Sequence, residues 1–466
     1  EIWIENYMKV IICGAGQVGF SIARYLSVES NDVTVIDQSP DLIGKVNESL
    51  DVQAIVGHAS HPDVLESAGA ADADMIIAVT FADEVNMVAC QIAHSLFNVP
   101  TKIARIRQQS YLEPMWADLF SRDHIPIDVI ISPEVEVARA ISRRMAVPGA
   151  FDMIPLADDK VRVIGIRCGE DCPVINTALR QLTGLFPDLN ISIVAIVRGE
   201  DAFVPNSSDQ MFAGDEVYFI ADTEHVLRAL ATFGYEERQE ASRRITIIGG
   251  GNIGLNLARF LQDMENVTSR IIESDSTRAR RIVATLQDTQ VTHGDALDTE
   301  ILEETNIKHA DTVVAVSNDD ETNILASLLA KRFGVEHTIA LVNKDTYTPL
   351  ITTLGIDVLV NPRAITVSTI LQHIRRGRIR SVHSLRDGFA EVIEAEALDT
   401  TPLVNAPLAE INLPADVIIG AVVRDGKVII ARATTVIQSG DRVILLSAAH
   451  SVKKVEKMFS VRLEFF

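Results

Sequence analysis

The chain has 466 residues, 47% of them hydrophobic, with a formal net charge of −22 and an isoelectric point near 4.9. Its apolar runs, such as residues 75–79 and 313–316, are strand length, short of the roughly 18 residues that a membrane-spanning helix requires. So large an acidic excess opposes binding to nucleic acid or to an anionic membrane surface, and four scattered cysteines in neither a disulfide framework nor a C-x-x-C zinc spacing fit a reducing cytoplasm.

Taken in order, Glu1 to Tyr7 precede Met8 and read as an artificial extension rather than a targeting signal. Strands are expected at residues 9–13, 33–36, 54–56, 75–79 and 102–106, each bounded by turn or helix-cap residues. Helical stretches between them imply right-handed crossovers and a parallel sheet. From about residue 150 to 235 the pattern changes to short alternating strands, including Ser192-Ile193-Val194-Ala195-Ile196-Val197 and, after Gly214-Asp215, Val217-Tyr218-Phe219-Ile220. Glu236-Glu237-Arg238-Gln239-Glu240 forms a polar seam.

Everything then happens again. Strands are expected at residues 244–248, 269–272, 290–292, 312–316 and 337–342, a helix begins near Pro362, and short alternating strands return from about 381, with a hairpin turn at Asp425-Gly426 and a second Gly-Asp step at Gly440-Asp441. The expected fold is α/β: a duplicated Rossmann-like parallel sheet lobe, each followed by a small α+β carboxyl lobe, with boundaries at 8–149, 150–235, 242–380 and 381–466.

The repeat is sharpest where the first strand of each half ends. Gly14-Ala15-Gly16-Gln17-Val18-Gly19 returns 235 residues later as Gly249-Gly250-Gly251-Asn252-Ile253-Gly254. In G-x-G-x-x-G between strand and helix, the first glycine makes the tight turn, the second lets a phosphate approach the backbone, and the third lets helix pack on strand. Helix amide groups then face the phosphate. Asp37 and Glu273 end the following strands, where a carboxylate accepts hydrogen bonds from adenosine ribose hydroxyls and repels a 2′-phosphate, favouring NAD or ATP over NADP.

Thr80 and Ser317 end the fourth strand of each sheet, at the carboxyl edge where ligands of such sheets sit; each also suits a helix N-cap. Arg105, near the end of the fifth strand with Arg107 just beyond, suits a clamp on a diphosphate or triphosphate or a structural ion pair. Its register-equivalent in the second half is Leu341 or a neighbour, so the second site is expected to hold phosphate less tightly unless Lys344 substitutes. His58, His61 and Asp63 lack further ligands at metal-site spacing and read as loop polars, and Arg375, Arg376, Arg378 and Arg380 read first as a solvated or salt-bridged basic face, with a phosphate or interface role as the alternative. There is no G-x-x-x-x-G-K-[ST], no G-x-S-x-G, and no tyrosine with a lysine four residues on. A nucleotide crevice without an evident acid, base or nucleophile reads as a sensor; the alternatives are an NAD-dependent dehydrogenase using the first lobe, or a structural scaffold.

With Gly14 to Gly19, Asp37, Gly57-His58-Ala59-Ser60 and Ala104-Arg105, the chain resembles RCK (regulator of potassium conductance) domains over essentially residues 8–466. The resemblance implies no enzyme but a cytoplasmic, peripheral regulatory subunit that binds NAD(H) and ATP/ADP. Its partners would be further copies in a homotetramer and a TrkH-like membrane potassium-transporting subunit. It places nucleotide on Gly14 to Val18, Asp37, Thr80, Phe81 and Arg105, and in the second half on Gly249 to Ile253, Glu273 and Ser317. Asp295, in Gly294-Asp295-Ala296, matches an acid common in the family; the first half has His58 there.

Overall fold

A computed structural model describes residues 8–28, 31–145, 147, 149–186, 189–199, 201–235, 243–347, 354–374, 379–385, 388–414 and 416–459. Glu1 to Tyr7, the Glu236 to Glu240 seam and Arg375, Arg376 and Arg378 lie outside the described residues. Six strands, β1 (Lys9–Cys13), β2 (Asp32–Asp37), β3 (Gln53–Val56), β4 (Met75–Ala78), β5 (Thr101–Arg105) and β6 (Val129–Ile131), form a parallel sheet in the order β3-β2-β1-β4-β5-β6. The sixth strand was not expected from sequence: three residues carry no readable period, and pairing with Ile103 to Arg105 defines it.

An antiparallel sheet follows, from β7 (Ala150–Leu156), β8 (Val161–Arg167), β9 (Ile191–Arg198), β10 (Asp201–Phe203) and β11 (Glu216–Asp222), in the order β10-β9-β11-β8-β7. The second half repeats both sheets. β12 (Arg243–Ile248), β13 (Val267–Glu273), β14 (Thr289–His293), β15 (Thr312–Ala315), β16 (His337–Leu341) and β17 (Val358–Val360) run parallel as β14-β13-β12-β15-β16-β17. β18 (Ile379–Leu385), β19 (Ala390–Glu396), β20 (Val417–Arg424), β21 (Lys427–Ile430) and β22 (Arg442–Ala448) run antiparallel as β18-β19-β22-β20-β21.

The Gly-Asp steps acquire a structural role. Asp215 and Asp441, both buried, each take a two-point hydrogen bond from an arginine ending an earlier strand, Arg198 at 2.9 and 2.7 Å and Arg424 at 2.9 and 2.7 Å. Each also accepts from a backbone amide, of Phe212 and Gln438 respectively. Such planar pairs fix both geometry and register.

The two halves interlock. The helix Pro133–Met145 leaves the first sheet and places Val137, Ala138 and Ile141 in the core of the second parallel lobe, against the helix Asn252–Gln262. The helix Pro362–Ile374 does the reverse, placing Ile370, Leu371 and Ile374 in the first lobe's core against the helix Gln17–Val28. The antiparallel sheets share a core in which Val163, Val194 and Ile220 pack with Val392, Ala421 and Leu446. Among the described residues, no helix is long and apolar enough to cross a membrane.

Candidate functional site: two glycine-lined crevices

In each parallel sheet the strand order reverses between the first and fourth strands, which leaves a crevice at their carboxyl ends, the position where ligands of doubly wound sheets settle. Gly14 takes φ +110°, and a Cβ on it would lie 3.0 Å from the backbone of Val79 and Thr80, so only glycine lets the loop run this close to the end of β4. Gly249 repeats this with φ +98° against Val316 and Ser317. A Cβ on Gly19 would lie 1.8 Å from the Gly14 carbonyl oxygen, and one on Gly254 would lie 2.0 Å from that of Gly249. At Gly16 and Gly251 an added Cβ meets nothing within 4 Å. The second glycine of each loop therefore faces open space.

Side chains around the loops divide by depth. Ala15 is buried and its N–H donates to Asp37 Oδ2 at 2.7 Å; buried Gly250 donates to Glu273 Oε2 at 2.8 Å. These two amides are committed to the acid of the next strand. Val18 and Ile253 are half-buried and pack into the lobe cores, while Gln17 and Asn252 open the helices at the crevice mouth. The mouth is thus lined by Gly16 and Gln17 in one half and Gly251 and Asn252 in the other.

Thr80 and Ser317 are held by an asparagine one turn into the next helix. Asn86 Oδ1 accepts from the Thr80 amide at 2.9 Å and hydroxyl at 2.7 Å, and its Nδ2 donates to the carbonyls of Thr80 and Arg105. Asn323 binds Ser317 in the same way, at 2.8 Å to amide and hydroxyl, and donates to the carbonyls of Ser317 and Leu341. That equivalence sets Arg105 opposite Leu341, which is buried in the second lobe's core. Lys344 is no substitute: Asp83 accepts from the amides of Arg107 and Gln108, and Asp320 from those of Asn343 and Lys344. Lys344 therefore corresponds to Gln108, and its ammonium pairs with Glu321 at 2.9 Å on the surface. The Asn86/Asn323 correspondence was visible in the repeat; its clamping role, and that of Asp83 and Asp320, was not, because both depend on loops that meet only in the fold.

Arg105 is largely buried, and burial, then the neighbouring Arg107 guanidinium, lower its pKa from the ordinary value. Its Nη2 donates to the Thr80 carbonyl at 2.7 Å. Its Nε is buried with no hydrogen-bond partner among the described residues, and such an orphaned donor is costly unless something accepts from it. Arg107 ion-pairs with Glu134 at 3.0 Å and sits 5.9 Å from the ring centre of Phe81, which is 86% exposed at the rim. Asp295 is exposed and caps its own loop, accepting from the Leu297 amide at 2.9 Å. His58 stacks on His61 with ring centres 4.9 Å apart and bonds Ser60 at 2.8 Å. Among the described residues, no group of three or more His, Cys, Asp or Glu could hold a metal ion.

An open face beside Gly16, an orphaned guanidinium donor at Arg105 and a strand-end carboxylate at Asp37 fit the phosphates and ribose of an adenine nucleotide. Fold and crevices together define a tandem pair of two-lobed, RCK-type units. Consistent with this, the TrkA-N domain family matches residues 10–133 and 245–362, and the TrkA-C domain family matches 163–234 and 392–460. The Trk system potassium uptake protein TrkA of Azorhizobium caulinodans is 53% identical over 98% of this chain and 100% of its own length, and that of Halomonas elongata is 40% identical over 98% and 100%. The chain belongs to the family of Trk system potassium uptake proteins TrkA. In fold it is similar to the GsuK RCK domain, with a TM-score of 0.60 at 18% identity over 99% of this chain and 97% of that one. It is likewise similar to the GsuK channel bound to NAD, with a TM-score of 0.59 at 17% identity over 99% and 80%.

Proposed function

We propose that this chain is a nucleotide-sensing regulatory subunit. On this reading it binds NAD(H) and ATP/ADP in its glycine-lined crevices and gates a TrkH-like membrane potassium-transporting partner, as a homotetramer on the cytoplasmic face. The observation that carries the reading is the first crevice, where an acceptor for ribose hydroxyls at Asp37 and an orphaned donor at Arg105 flank a loop with open space at Gly16. Asp37, Thr80, Phe81 and Arg105 contact the ligand there; Glu273, Ser317 and Asp295 surround the weaker second site. The potassium-uptake naming of the curated relatives supports regulation over a dehydrogenase.

Gating follows from unequal binding. A ligand shifts a conformational equilibrium by no more than the difference in its affinity for the two states. The additional phosphate of ATP over ADP meets Arg105 or Arg107, or an arginine of a neighbouring copy, and supplies that difference. The test is a thermal-shift scan with NAD, NADH, ADP and ATP, followed by binding measurements on Arg105→Ala. Stabilisation by these ligands and loss of ATP-over-ADP discrimination in the variant are expected. No shift with any nucleotide overturns the sensor reading, and unchanged discrimination removes Arg105 from it.

A further inference from the structure

The two crevices differ most at the acid that should hold the ribose. A carboxylate offers about four acceptor positions. On Asp37 two are taken, by the amides of Ala15 at 2.7 Å and Ser39 at 2.8 Å. The positions left open equal in number the donors of a vicinal ribose diol. On Glu273 the same backbone pair recurs, Gly250 at 2.8 Å and Asp275 at 2.8 Å, but Arg278 adds contacts of 3.3 Å to both oxygens. The Glu273 side chain is only 2% exposed, and every acceptor position is spoken for.

The additional contacts trace to one position of the helix that follows each acid. Ser39 caps the helix Pro40–Ser49 by accepting from the Leu42 amide, and Asp275 caps the helix Ser276–Thr285 by accepting from the Arg278 amide. Leu42 and Arg278 are therefore equivalent. Leu42 packs on the first lobe's core and donates nothing from its side chain; Arg278 reaches back over the acid, its side chain still 46% exposed.

We propose that Arg278 occupies the ribose seat of the second crevice, so that diol-bearing adenine nucleotides enter the first crevice readily and the second only when Arg278 swings into solvent. This deepens the sensor reading and rests on it. Partial exposure gives the guanidinium a path into solvent, and the incoming diol must replace its contacts, because the buried Glu273 carboxylate left unpaired is costly. It is a specificity-determining residue that superimposing the two folded halves reveals, since the strand-end acid is present in both and only one is open.

The experiment is calorimetric titration of the full chain with NAD and, separately, ADP. The wild type is expected to show one tight site per chain and a second at least about tenfold weaker, with Asp37→Ala removing the tight one. Arg278→Leu, which reproduces the first half, is expected to bring the second site to within a few-fold of the first, while Arg278→Lys keeps the wild-type pattern. Two equal sites in the wild type, lost separately in Asp37→Ala and Glu273→Ala, overturn the proposal; so does Arg278→Leu that still binds a single equivalent. No heat from the wild type with either ligand overturns the sensor reading instead. A ligand-free melting curve for each variant shows that loss of binding is not loss of fold.

Discussion

An added methyl group has opposite consequences three residues apart in the first glycine loop. At Gly16 it points into open space, whereas at Gly19 it falls 1.8 Å from a backbone oxygen that cannot move without breaking the strand-to-helix turn. Gly16→Ala is therefore expected to melt like the wild type without ligand yet to lose about tenfold or more in nucleotide affinity, because the methyl stands where phosphate must approach. Gly19→Ala is expected to lose about 1–3 kcal/mol of stability through overpacking. If Gly16→Ala melts as low as Gly19→Ala, the open face is not reserved for a ligand. At this scale the sequence was legible wherever spacing determines position: the glycines, the two acids, and the opposition of Arg105 to Leu341. Arg278 was invisible because it acts by folding back one helical turn onto an acid five residues earlier, and nothing in the spacing says which rotamer it takes. The amides of Ala15 and Gly250 donate to the acids, a bond that the motif's spacing does not show.

Between elements, the most consequential contact joins the first glycine helix to the far antiparallel lobe. Tyr25, near the end of Gln17–Val28, donates its hydroxyl hydrogen to Glu391 on β19. Burial, with a smaller contribution from Glu456, raises the Glu391 pKa to about 8. An unfolded glutamate titrates near 4.3, so between that value and about 8 the folded chain holds a proton that the unfolded chain releases. The stabilisation from this group is complete below the unfolded value and is lost as pH rises through the folded one. Wild-type melting temperature should fall between about pH 5 and about pH 8 and level off above it, and Glu391→Gln, which cannot ionise, should fall less; parallel curves would remove Glu391 as the cause. The parallel strands were readable from their apolar runs, and the small lobes from their alternation. β6 and β17 were not, being three residues long and defined by neighbours brought together only in the folded lobe.

At the level of the whole chain, duplication has become exchange. Each parallel lobe completes its core with a helix that belongs, in sequence, to the other half. Ile370, fully buried, lies well over 200 residues from the strands whose core it joins, so its truncation tests the exchange directly. Ile370→Ala should cost about 2–5 kcal/mol, the usual range for a buried aliphatic cut back to a methyl. The loss should be felt in the opposite half: hydrogen exchange should quicken in Gln17–Val28 and in β1, while the strands β12 to β16 stay protected. Because that helix carries the first glycine loop, nucleotide affinity at the first crevice should weaken as well, although Ile370 lies in the other half of the sequence. Ile141→Ala should give the mirror result, loosening Asn252–Gln262 and sparing the first sheet. Exchange that quickens only within the half carrying the substitution would mean that the two lobes fold independently. A nucleotide bound to one would then have no packed route to the other.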